Sequence, residues 1–298
     1  MKLLEVFPVG NFLGEGILWQ HQTQMLWWTD IQARRLYRYD WQTKSLRHYA
    51  TPERVGSFGF VANSDRLIVA FESGIALYHP ETQHIHWLGK PEAEKPHVRF
   101  NDGRVDRQGR FWAGTMVEGD HPDISAGLYC VDAHGCIHQR KQGIRISNSL
   151  CFSTDGHHAY FADSPRFRIR KYALTQPTGE LSEETCFATL PDGVHPDGAT
   201  VDCEDHVWNA QWGAGKVVRY NASGSPSTVI QLPVSQPTCI TFGGPDLDLL
   251  FVTSASVGLS PAQLATEPEA GAVFVFKTPF RGLPEQHYRY NRNILPGN

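Results

Sequence analysis

Glu15, Asn101, Asn148 and Asp197 each stand just ahead of a short apolar run, in four separate segments of the chain, at intervals of 86, 47 and 49 residues. In a circular repeat fold, residues at the same phase of different units converge on the central axis, so two acids and two amides placed this way can share one site. A buried unpaired carboxylate is costly, and two that face each other repel, so Glu15 and Asp197 near one axis call for a compensating cation. Oxygen donors from Glu15, Asn148 and Asp197, with no cysteine and no obligatory histidine, suit one hard divalent ion: calcium, magnesium or manganese, with zinc or iron(II) also compatible. Singly, each of these residues reads more simply as a turn or strand-end cap. Their shared phase favours the site.

The elements that would carry these residues repeat along the whole chain. Apolar runs rich in aromatic and β-branched residues occur as WWTD from Trp27, IVAF from Ile68, FWAG from Phe111, YFAD from Tyr160, VWNA from Val207 and LFVT from Leu250, separated by 41, 43, 49, 47 and 43 residues. Each is preceded by one strand candidate, such as EGILW or DGATVD, and followed by another, such as GIALYHP or GKVVRYN. The turn sequences NSDR, DRQG, STDG and GGPD fall between the first and second strands of their units. Six units of three clear strands and a weaker fourth, at roughly 45-residue spacing, predict an all-β, six-bladed β-propeller, a single domain over residues 1–298. The leading LLEVFPV is a candidate strand to complete the last blade. The stretches 117–125 and 255–270 are expected to be loops on one face and candidate lids.

Composition narrows the function classes. With 27 basic and 31 acidic residues the formal charge is −4, and no lysine or arginine run offers a footprint for nucleic acid. The opening MKLLEVFPVG has too little apolar length for a secretory leader, and nothing approaches a membrane span, so a soluble cytoplasmic protein with no membrane partner is expected. Cysteines 130, 136, 151, 186, 203 and 239 form no CxxC pair or zinc spacing and are expected to be buried reduced thiols. No GxSxG elbow occurs, and Ser147 and Ser149 have no evident histidine partner, which argues against a serine nucleophile. His157 and His158 fall in a turn and read as solvated, whereas His195, two residues before Asp197, and Trp212 are candidates for the pocket rim.

At these residues the chain resembles the family of senescence marker protein (SMP-30, regucalcin), gluconolactonase and luciferin-regenerating enzyme. The matching segments are GEGILW with WWTDI, RFNDGRVDRQGRFWAGTM, SNSLCFSTDGHHAYFADS, PDGATVDCEDHVWNAQWGAGKVVRY and QPTCITFGGPDLDLLFVTSA. The resemblance implies a propeller with one catalytic divalent metal in its channel. By motif, Glu15, Asn148 and Asp197 resemble the family's metal ligands, with Asp197 also its general base. Arg99 and Asn101 resemble its substrate-binding residues, and Glu118 lies where a further acid follows AGTM. The implied reaction is hydrolysis of a sugar lactone of glucono, galactono, arabinono or xylono type to the aldonic acid. Two competing expectations are a phosphotriester or aryl-ester hydrolase on the same kind of propeller, and a non-enzymatic calcium-binding propeller.

Overall fold

In the computed structural model, which describes residues 1–122, 125–176 and 178–291, six four-stranded antiparallel sheets follow one another around a ring. Within each, the strands run outward in chain order from an innermost strand, and these inner strands are Gly14–Gln20, Val55–Phe60, Val98–Val105, Ser147–Phe152, His195–Val201 and Pro237–Gly243. The exception closes the ring. Blade 6 takes its outermost strand from the other end of the chain, Lys2–Phe7, which pairs antiparallel with Val273–Lys277. The LLEVFPV expectation holds, and the first strand of the chain and its last, Val273–Lys277, lie in one sheet.

Local chemistry explains why the hairpins form where they do. After the inner strands of blades 3 and 5 come Asp106 and Asp202, whose carboxylates accept amide protons of their own turns, from Gln108 and Arg110 and from Glu204 and His206. Each also accepts the indole N–H of the tryptophan six residues on, Trp112 or Trp208, at 2.8 Å, and an arginine Nε, from Arg110 or Arg219. The repeated Asp-to-Trp spacing thus buries a fully bonded carboxylate that fixes turn and strand together.

Alternation along the strands sends apolar side chains to both faces of every blade, and a hydrophobic cluster fills each seam. Trp19 of blade 1 stacks on Phe251 of blade 6 with centroids 5.7 Å apart, and corresponding clusters lie at the other blade boundaries. At the axis the packing is tighter still. A Cβ on Gly198 would lie 2.6 Å from Cys239 Sγ of the next blade, so the glycine of the PDG segment is required by close approach. Cys130, Cys151 and Cys239 are buried as expected, but Cys136, Cys186 and Cys203 are exposed. These three lie in hairpin turns or on outer strands, where a small side chain faces solvent. All six thiols are free. Among the described residues no helix is long and apolar enough to cross a membrane.

After blade 6 the chain crosses the face opposite the starts of the inner strands. Gly282 pairs with Asp202 of blade 5, Glu285 forms an ion pair with buried Arg104 of blade 3 at 3.1 Å, and Tyr288 pairs with Val61 of blade 2 while its hydroxyl donates to Asp132 O at 2.6 Å. This strap ties blades 2, 3 and 5 together on that face. Removing the Glu285 carboxylate leaves the Arg104 charge buried without its counter-ion, so Glu285→Ala is expected to destabilise the fold by about 3 kcal/mol in equilibrium denaturation.

Candidate active site

The predicted residues meet because each inner strand carries the same irregularity near its beginning. The pairing register with the second strand shifts between Glu15 and Leu18, Val55 and Ser57, Phe100 and Gly103, Asn148 and Cys151, Pro196 and Ala199, and Pro237 and Ile240. A bulge bends the strand and re-aims its side chains. Glu15 and Asn148 are the last paired residues before it, and Asn101 and Asp197 lie within it. All four consequently line one cavity of about 300 Å³ with Arg99, His195 and Trp212. A larger groove of about 730 Å³ between the outer parts of blades 2 and 3 holds none of these residues.

The electrostatics of the floor are dominated by acids. Glu15 and Asp197 are buried at the same cavity, where their charges oppose each other, and the charge of a third carboxylate, the half-buried Asp102, acts on both. Burial first, and then the Asp102 charge, pushes the Glu15 carboxyl up to about 8 despite the Gly16 N–H that it accepts at 3.0 Å. Burial, followed by the charges of Glu15 and Asp102, raises Asp197 well above the usual carboxylate range. Asp102 is raised by burial and held back mainly by the Leu150 N–H at 2.8 Å. Among the described residues neither Glu15 nor Asp197 has an ion-pair partner, so these acids stay neutral or share a proton unless a cation enters. The donor set therefore fits a divalent ion. Among the described residues no cluster of three His, Cys, Asp or Glu side chains is placed to hold a metal, and the further oxygen donor beside the two carboxylates at this cavity is the Asn148 amide.

The flanking polar groups are held by one another. Asn148 Nδ2 donates to Ser164 Oγ at 2.9 Å, and its Oδ1 accepts from Asn101 Nδ2 at 3.1 Å. Asn101 also donates to Ser147 O at 2.9 Å and accepts from Arg99 Nη1 at 2.9 Å. Both amide hydrogens of Asn101 are therefore used within the protein, and what it can offer a ligand is the second lone pair of Oδ1. Glu118 does not line the cavity. It is bound by Arg54 at 2.7 Å and by Arg99 Nε at 3.0 Å, and Arg54 in turn pairs with Glu72 at 2.8 Å. The two guanidinium groups keep the Glu118 carboxyl below its ordinary value although burial works the other way. Its place is behind Arg99, which it orients.

The opposite wall is apolar, formed by Leu13, Met116, Ile146, Trp212 and Val257. Trp212 is expected at the rim; Leu13 and Ile146 immediately precede inner strands and Met116 lies near the end of a second strand, so rim phase in the repeat is the signal that would have found these three. Ser164, also in the lining, follows YFAD at that same phase. The stretch 255–270 departs from the lid expectation. It holds a short helix, Pro261–Thr266, capped reciprocally by Ser260 and Gln263. Glu267 accepts Ser235 N and Oγ at 2.7 and 2.9 Å, and Ser256 Oγ donates to Asn11 O at 2.9 Å, which makes the stretch a fixed part of the rim. Within 117–125, residues 123 and 124 lie outside the described set.

A family profile described as SMP-30/Gluconolactonase/LRE-like region matches residues 13–256. The chain belongs to that family. It is 38% identical over 284 residues to a 6-deoxy-6-sulfogluconolactonase of Pseudomonas putida, covering 92% of this chain and 94% of the relative. It is 36% identical over 279 residues to an L-arabinolactonase of Azospirillum brasilense, covering 92% and 91%. Among solved structures, a regucalcin of Agrobacterium tumefaciens, described as a calcium-binding protein, superimposes with a TM-score of 0.91 at 28% identity over 96% of this chain and 98% of its own. Relatives named as lactonases place the family member among hydrolases of ester bonds.

The raised acids set a pH dependence for the metal-free protein. Below about 4.5 the folded and unfolded forms are both protonated; above it the unfolded carboxyls ionise while the folded Glu15, pushed up to about 8, holds its proton. Stability of chelator-treated protein is expected to fall as pH rises from about 4.5 to about 8. A saturating divalent cation should reverse that trend and release protons on binding at pH 6 to 7. Unfolding temperature against pH, with and without the cation, together with proton release in weakly buffered solution, measures both.

Proposed function

We propose that the protein is a divalent-metal-dependent hydrolase of an aldonolactone, opening the ring to the aldonic acid. The observation that carries this reading is the pair of buried, uncompensated carboxylates, Glu15 and Asp197, with the Asn148 amide oxygen, at the floor of a cavity of about 300 Å³. That cavity suits a single sugar ring. The names of the lactonase relatives support the substrate class. A cation held by Glu15, Asn148 and Asp197 would polarise the lactone carbonyl and stabilise the charge that develops on its oxygen.

The chain's own residues supply the remainder. Once a cation keeps it ionised, the Asp197 carboxylate accepts a proton from the water that adds to the carbonyl carbon, and returns it to the ring oxygen as the ester C–O bond breaks. Arg99 places Nε on Glu118 and Nη1 on Phe100 O and Asn101 Oδ1, and among the described residues its Nη2 is left to donate to a ring or hydroxyl oxygen. His195, packed against Phe167 with centroids 5.0 Å apart, presents a further polar group at the rim. Trp212 and its apolar neighbours cover the C–H face of the ring and exclude bulk water.

Asp197→Ala is expected to lower kcat for lactone hydrolysis by about 10³-fold while leaving the circular dichroism of a propeller; a folded, metal-saturated variant with full activity would refute the assignment. Glu118→Gln should raise KM about tenfold and change kcat little, because it loosens Arg99 without touching the acids. A panel of glucono-, galactono-, arabinono- and xylonolactones, assayed by acid release with several divalent metals, identifies the sugar and the ion. Faster turnover of phosphotriesters or aryl esters would move the assignment to that class, and no turnover of any ester would leave a calcium-binding propeller.

A further inference from the structure

Two serine hydroxyls of blade 4 reach across the seam to consecutive backbone carbonyls of blade 5. Ser164 Oγ donates to Pro196 O at 2.7 Å, and Ser149 Oγ donates to Asp197 O at 2.7 Å. Asn209, fully buried on the second strand of blade 5 (Val207–Trp212), adds its Nδ2 to the same pair, at 2.9 Å from Asp197 O and 3.0 Å from Ser149 Oγ. The carbonyl of the bulge residue is thus held by two side chains from two blades, in an interior where a misdirected polar group has no water to turn to.

The backbone of Ser149 makes an independent case. Its φ is +60°, in the left-handed region that disfavours a side chain. Gly16 occupies the equivalent bulge position of blade 1 with a φ of +57°. A Cβ built on Gly16 would meet no atom nearer than 3.6 Å, so space does not select between the two residues. Blade 4 keeps a side chain where the conformation favours glycine, and the atom it keeps makes the bond to Asp197.

We propose that Ser149 is a positioning residue for Asp197: its hydroxyl, steadied by Asn209, fixes the carbonyl of the blade 5 bulge and so the direction in which the Asp197 carboxylate enters the cavity. Because Ser149 directly follows Asn148, the same bond sets the separation of two of the three metal-facing oxygen donors across the seam. The inference rests on the reading of Asp197 as ligand and base.

The test compares the full-length chain with Ser149→Gly and Ser149→Ala, reading the unfolding temperature after chelation, Mn²⁺ affinity by calorimetry, and kcat and KM on the best lactone. Glycine adopts the left-handed conformation without strain, so Ser149→Gly should unfold no lower than the unaltered chain. It should nonetheless bind Mn²⁺ about tenfold more weakly and lose about tenfold in kcat, with KM within about twofold, as loss of an outer-shell partner does. Ser149→Ala keeps the strain and loses the hydroxyl, so it should show the same functional losses and a lower unfolding temperature. Unchanged Mn²⁺ affinity and kcat in a stable Ser149→Gly would overturn the proposal. If the unaltered chain binds Mn²⁺ but opens no lactone, the lactonase reading fails and the affinity comparison still decides the role of Ser149. A chain that binds no Mn²⁺ removes the ligand reading, and this inference with it.

Discussion

Two carboxylates buried side by side on the axis of a closed ring are the constraint to which the rest of this protein answers. Glu15 and Asp197 come from blades 1 and 5, and neither can retreat, because the blades are wedged together by apolar seams and the ring is sealed by Lys2–Phe7 in blade 6. A softer frame would relax the repulsion by moving apart. Here it persists as raised carboxyl pKa values and a standing demand for positive charge. The strap across the far face adds to the rigidity of the ring, since it carries Glu285 of the last segment onto Arg104 of blade 3.

One backbone device is repeated and then used selectively. All six inner strands shift register near their beginnings, yet the bulges of blades 2 and 6 present Gly56 and Thr238, while those of blades 1, 3, 4 and 5 present or adjoin an acid or an amide. The repeat supplies convergence, and substitution at one phase supplies chemistry. The polar floor then satisfies itself: Asn101 binds Asn148, Asn148 binds Ser164, and Arg99 is oriented by Glu118, which Arg54 restrains. Few donors remain for a ligand. On the proposed lactonase reading, discrimination among sugars would fall to Arg99, His195 and the fit of the ring against the apolar wall.

Much of the fold and the centre of the site were legible in the chain. The spacing of WWTD, IVAF, FWAG, YFAD, VWNA and LFVT carried the six blades, because a propeller repeats one supersecondary unit whose turns and apolar runs are local properties. The same spacing put Glu15, Asn101, Asn148 and Asp197 in phase. The fixing of the 255–270 stretch was not legible, since it depends on Glu267 meeting Ser235 from another loop. Nor was the diversion of Glu118 to two arginines, one of them Arg54 at a sequence separation of 64 residues.

By itself, then, the sequence determined the architecture, the family and the residues that face the axis, because periodicity and motif are written in neighbouring positions. Tertiary structure decided what each of those residues is free to do. Whether a carboxylate is bare or paired, whether an amide proton is available or spent, and whether a serine in a left-handed bulge reaches the carbonyl of Asp197 all depend on atoms brought together from distant segments. Those interactions act over about 3 Å, a range at which only the closed ring sets the neighbours.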